Sequence, residues 1–117
     1  ESTTTTESIG KAVVKIAKDL HAAAIIASTE RGGTAQMISK FRPACPIVAV
    51  SPHEAIVRRL QLNWGVQAVT GKEANDTDAV VDNAIFAALD NDLIKAGDLV
   101  VLTAGVPVAK DPRPGRR

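Results

Sequence analysis

Apolar positions change their spacing several times along the chain, and each change marks a new element. Ile9, Val13, Ile16 and Leu20 recur at helical spacing behind Thr4-x-x-Glu7, a pattern that caps a helix start with reciprocal hydrogen bonds, so the first element reads as a helix. Ala22 to Ala27 contains no polar residue and suits a strand covered on both faces. Ser28 to Gly33 breaks that run with a polar turn, after which Met37, Ile38 and Phe41 sit on a short helix ended by Arg42-Pro43, since the residue before a proline disfavours helical geometry. Ile47 to Val50 forms a second apolar strand. Ser51-Pro52-His53-Glu54 then combines an N-cap serine, a proline at the first helical position and a glutamate three residues on, which starts a helix carrying Ile56, Val57 and Leu60 inward.

Gly65 is placed to end that third helix, Val66 to Val69 reads as a shorter strand, and Gly71 to Thr77 as a polar loop. The longest helix begins near Thr77, buries Val81, Ile85 and Leu89 with their alanine neighbours, and ends before Gly97. A fourth strand, Leu99 to Leu102, completes the alternation. Strands alternating with helices in this way predict an α/β fold, a three-layer sandwich with a short, mainly parallel sheet of four strands, or five, and helices on both faces. Ligands of such sheets bind outside the carboxyl ends of the strands, which directs attention to Ser28 to Thr34, Ser51, Thr70 and Thr103 to Val106.

Length supports one domain, because 117 residues can bury one core but hardly two. That domain is expected over residues 1–108, followed by a flexible basic tail over 109–117, where Lys110, Arg113, Arg116 and Arg117 alternate with prolines and glycine. Apolar residues make up 45% of the chain and aromatics only 3%, so the core must come from Ala, Val, Ile and Leu. A net charge of +1, from 14 basic and 13 acidic residues, supplies no field for nucleic acid or an acidic membrane, and neither is expected as a partner. Cys45 is the sole cysteine, so no internal disulfide forms; without a signal peptide or membrane-spanning run, a cytoplasmic location is expected.

The inventory for catalysis is short. The histidines are His21, at a helix end where the dipole already explains it, and His53, inside a capping sequence, and neither position reads as catalytic. No metal-ligand spacing of His, Cys, Asp or Glu appears, so neither catalytic nor metal residues are assigned. A dinucleotide site needs Gly-x-Gly-x-x-Gly after the first strand, where this chain has Thr29-Glu30-Arg31-Gly32-Gly33-Thr34. That turn can instead bind a phosphate: hydroxyls on Ser28, Thr29 and Thr34, the flexible Gly32-Gly33 pair, the Arg31 guanidinium and the amides of the next helix form an anion cradle. An ordinary strand-to-helix turn with a threonine N-cap explains the same residues equally well. Of the adjacent Arg58 and Arg59, both are expected in solvent, and Trp64, the only tryptophan, is expected to anchor a helix end against the sheet.

Four segments in order give a family resemblance: Ala24 to Thr34 (AIIASTERGGT), Lys40 to Ser51 (KFRPACPIVAVS), Arg58 to Val66 (RRLQLNWGV) and Gly97 to Val108 (GDLVVLTAGVPV). They resemble the C-terminal domain of bacterial pyruvate kinases. The resemblance implies a domain that helps build a tetramer and binds a phosphorylated sugar or nucleotide effector at Thr29 to Thr34. It also implies a separate catalytic barrel that transfers phosphate between phosphoenolpyruvate and ADP with magnesium and potassium, and no cofactor on this domain itself. Many members have serine where Arg31 stands and a basic residue where Gly33 stands, so the positive charge is shifted two positions. Members also continue past the Gly-Val-Pro turn into a glycine- and threonine-rich loop and a final strand, where this chain reads Ala109 to Arg117; half of the effector pocket and one strand are expected to be missing. The leading expectation is a regulatory and oligomerisation domain without catalysis. The alternatives are a self-association module that pairs through an open sheet edge, or a small enzyme acting on a phosphorylated metabolite with Arg31 polarising the phosphate.

Overall fold

In the computed structural model of the chain, residues 5–104 are described. The central strand β1 (Ala24–Ser28) shows most directly why this sequence makes a layered sheet. Side chains alternate across a strand, so Ile25 and Ala27 enter one apolar cluster while Ala24 and Ile26 enter the other, and all four are fully buried. Burial on both faces requires cover on both faces. Helices α1 (Thr5–Leu20), α2 (Gly33–Lys40) and α3 (Glu54–Leu60) supply it on one side, and α4 (Thr77–Asp90) on the other. Fully burying one such isoleucine contributes about 1.5–3 kcal/mol.

Strands β2 (Ile47–Ser51), β3 (Val66–Thr70) and β4 (Val100–Ala104) complete a parallel sheet in the order β3-β2-β1-β4, with Ile26 opposite both Val48 and Leu102. The predicted α/β sandwich with four parallel strands is therefore what forms. The chain runs outward from β1 through β2 to β3, then crosses over by α4 to lie on the other side of β1. This reversal sits between β1 and β4, and the crevice of such a sheet opens at the reversal, beside the β1–α2 turn.

Several local readings shift. The buried stripe of α1 is Gly10, Val13 and Ala17, while Ile9, Ile16 and Leu20 are substantially exposed. Close packing explains this: a Cβ added at Gly10 would lie 3.0 Å from Met37 and 3.2 Å from Phe41, so small residues mark the contact with α2 and large ones flank it. Helix α4 repeats the pattern, burying Val80, Ala84, Ala87 and Ala88, with Val81 and Ile85 half-buried and Leu89 outside. Strand β1 starts two residues later than the apolar run. Ser51 is not the cap of α3: it is the fully buried last residue of β2, and the N-cap is His53. Gly65 has a left-handed backbone, φ 70°, but lies beyond the end of α3 rather than closing it. Thr4, a fifth strand and the tail over 109–117 lie outside the described residues. Among those described, no helix is long and apolar enough to cross a membrane.

Candidate functional site

The β1–α2 turn takes its shape from three contacts. The Thr29 amide donates to the Val50 carbonyl at 2.9 Å, tying the turn to the neighbouring strand. The Thr29 hydroxyl, on a buried residue, accepts from the Gly32 amide at 2.8 Å and closes the loop from inside. Gly32 itself has a left-handed backbone, φ 93°, and an added Cβ would stand 3.0 Å from Leu60. Both facts demand glycine there. Thr29 and Gly32 therefore build the turn.

The N-cap of α2 is Gly32 and not Thr34, and no side chain caps this helix. The first helical bond is Gln36 to Gly32, so the amides of Gly33 and Thr34 have no acceptor among the described residues. Unpaired amides at a helix start carry the positive end of its dipole, a ready site for an anion. They open into a hollow of about 570 Å³ whose wall also includes Ser28, Arg31, Glu30 and Glu73. Gly33 is exposed with open space where a Cβ would go, so it contributes its amide and not its smallness. The exposed Arg31 side chain has no carboxylate partner among the described residues, and its carbonyl accepts from Arg59 Nη2 at 3.5 Å. Arg59 thus leans toward the turn, while Arg58 reaches Glu54 at 3.7 Å on its own helix.

Carboxylates face the same space. Glu30 Oε1 lies 2.8 Å from His53 Nε2, and carboxylate oxygens of Glu30 and Glu73 fall with the His53 ring nitrogen inside 4.8 Å of one another. Sequence spacing showed no metal ligands because these three residues come from three different loops; together they can hold a divalent cation. Among the described residues, the Glu30 carboxylate is the hydrogen-bond partner of the His53 ring. The Ser51 hydroxyl donates to the Glu30 carbonyl at 3.4 Å and accepts from the His53 amide at 3.2 Å, and no hydroxyl or thiol among the described residues bonds to the His53 ring. A buried serine held by backbone groups is a structural tie between the first two loops.

Of the residues singled out from sequence, Ser28, Thr29, Arg31, Gly33 and Thr34 line this hollow, and Gly32 does not. Thr70 lies apart, in a groove of about 480 Å³ shared with Phe86 and Asn91. Trp64 does not anchor a helix against the sheet: the residue is 46% exposed, the Arg42 guanidinium lies over its ring at 4.8 Å from the centroid, and its carbonyl accepts from Ser39 Oγ at 2.6 Å. Glu30, His53, Arg59 and Glu73 are the additions. Glu30 is contiguous with the turn residues in sequence, but a carboxylate does not belong to the donor pattern of an anion cradle.

The family model described as "Pyruvate kinase, alpha/beta domain" matches residues 7–112. Pyruvate kinase of Geobacillus stearothermophilus is 48% identical over 108 residues, which is 92% of this chain and 18% of that protein. That of Sporosarcina psychrophila is 41% identical over 105 residues, 90% of this chain and again 18% of the relative. The solved Cryptosporidium parvum pyruvate kinase in complex with ADP superimposes with a TM-score of 0.81 at 31% identity, over 93% of this chain and 22% of its own. The chain thus spans about a fifth of the length of these relatives. On sequence and fold together, it belongs to the pyruvate kinase family as its C-terminal α/β domain.

Proposed function

We propose that this is the cytoplasmic regulatory and assembly domain of a pyruvate-kinase-like protein, binding a phosphorylated sugar or nucleotide at the Thr29–Thr34 turn without catalysing a reaction itself. One observation carries the reading: an uncapped helix start presents the Gly33 and Thr34 amides to a hollow that Arg31 borders. Those amides match the oxygens of a phosphate, and the exposed guanidinium adds a two-pronged donor. Ser28 and the Thr34 hydroxyl would orient the sugar. Glu30 and Glu73 oppose the charge of the phosphate, so binding rests on close hydrogen bonds and not on long-range attraction.

Phosphoryl transfer between phosphoenolpyruvate and ADP would then belong to a barrel domain of the parent protein, together with the magnesium and potassium ions. Calorimetric titration with a pentose phosphate, a hexose bisphosphate, AMP and inorganic phosphate tests the binding: saturable heat that Arg31→Ala weakens supports it, and no heat with any of them at millimolar concentrations defeats it.

Self-association is the second reading, favoured by the outer edge of β4, which has no pairing strand among the described residues. An unpaired edge offers a row of amides and carbonyls to another chain. Light scattering that finds only monomer over a wide concentration range rejects this reading.

A further inference from the structure

The opposite end of the sheet carries a second hollow, of about 640 Å³, between the carboxyl ends of α1 and α2. Its floor is apolar, built from Val14, Ala17, Ala22, Phe41 and Pro43, with Cys45 in the wall. Its rim carries Lys18, His21 and Arg42, all exposed, and no carboxylate lines it. Lys18 and Arg42 form no ion pair among the described residues, although the neighbouring Lys15 finds Asp19 at 3.0 Å.

Cations near a helix end are ordinarily explained by the helix dipole. Here four carbonyls of the last turns are already taken, with the amides of His21 and Ala22 donating to Lys18 and Ala17 at 3.2 and 3.0 Å and those of Phe41 and Arg42 to Ile38 and Ser39 at 3.0 and 3.1 Å, and neither the Lys18 nor the Arg42 side chain bonds a helix carbonyl among the described residues. His21 and Arg42 also hold left-handed backbones, φ 53° and 52°, at positions where glycine ends a helix with less strain. Stacking on Trp64 restrains the Arg42 guanidinium while its edge keeps N–H groups for an acceptor. Burial pushes the Cys45 thiol above its ordinary value of 9.0, so at neutral pH it is an uncharged part of the wall.

We propose that this hollow binds a small organic anion with a flat apolar body, of the aromatic carboxylate or sulfonate class. Lys18 and Arg42 hold the charged group, and Phe41, Val14 and Cys45 cover the body. The site is separate from the Thr29–Thr34 turn in position and in ligand chemistry, so the two stand or fall independently.

The chain has its own reporters. Trp64 is the only tryptophan and Cys45 the only cysteine, one beside the anion-binding guanidinium and one in the wall. Anilinonaphthalene sulfonate is titrated while Trp64 emission is followed, and iodoacetamide labelling of Cys45 is timed with and without it. The expected result is a saturable Trp64 change, slower labelling of Cys45, and affinity reduced about tenfold by Lys18→Glu but unchanged by Lys40→Glu, a surface substitution on α2 outside the hollow. Lys18 is exposed on a helix, so its replacement leaves the fold intact. The proposal is overturned if Trp64 does not respond at millimolar probe, if Cys45 labelling is unaffected, or if both substitutions change affinity alike.

Discussion

The two ends of this parallel sheet differ in what they hold toward an anion. At the carboxyl end the geometry is favourable and the charge is mixed: unpaired amides of Gly33 and Thr34 meet Arg31, but Glu30 and Glu73 share the same hollow. At the amino end the charge is favourable and much of the backbone is spent: Lys18 and Arg42 face no carboxylate in their hollow, while the carbonyls of Ala17, Lys18, Ile38 and Ser39 already accept from backbone amides. Topology alone therefore does not decide which anion goes where. A phosphate, which needs several short hydrogen bonds, fits the first end; an apolar body with one charged group fits the second.

The largest expected effect breaks the first end alone. Gly32→Val places a branched side chain at φ 93° and against Leu60, costing about 2–4 kcal/mol from left-handed strain and overpacking together. Denaturant unfolding measures the loss. Phosphate binding should disappear in that variant while the Trp64 response to anilinonaphthalene sulfonate survives in the folded fraction. Loss of both responses together would mean that the two ends are not independent.

A smaller change tests the mixed charge. Glu30→Gln with Glu73→Gln removes two negative charges from the phosphate hollow, and affinity for AMP should rise about three- to tenfold at low ionic strength, with the gain shrinking as salt is added. Calorimetry at two salt concentrations reads this directly. Unchanged affinity would place the phosphate away from both carboxylates.

How far the sequence could show these ends depends on how local each feature is. Parallel strands were legible because Ile25, Ile26, Val48 and Val50 sit in unbroken apolar runs, which only a doubly covered sheet can bury. The turn was legible because one contiguous segment builds it. Periodicity of large residues marks the flank of a close contact instead of its centre, as on α1, where Gly10 is buried and Ile9 and Ile16 are not; on α4 the alanines Ala84 and Ala88 are buried as expected, and Leu89 is not. Ser51 stands in a good capping motif, yet pairing with Thr70 extends β2 through it. The Glu30–His53 pair and the Lys18–Arg42 rim were not legible at all, since each joins residues from separate loops or helix ends that only the fold brings together.

A weaker effect concerns the Cys45 wall of the amino end. Its thiol is held above 9.0 by burial, so the folded state favours the protonated form. Stability from this group is complete below the ordinary thiol value and is lost as pH rises through the raised one. Thermal unfolding from pH 7 upward should show a slight fall beginning above about pH 9 that Cys45→Ala removes. The smallest effect is expected at Gly33→Ala, where an added Cβ meets nothing and φ is not left-handed: stability should change by less than about 0.5 kcal/mol and phosphate binding should persist.

Amide chemical shifts during titration with AMP read the assignment at its source, since the phosphate is placed on backbone N–H groups at the start of α2. The Gly33 and Thr34 resonances should move in a saturable way, with Lys18, His21 and Arg42 unaffected. Shifts confined to those three, or no shifts at millimolar AMP, would contradict it.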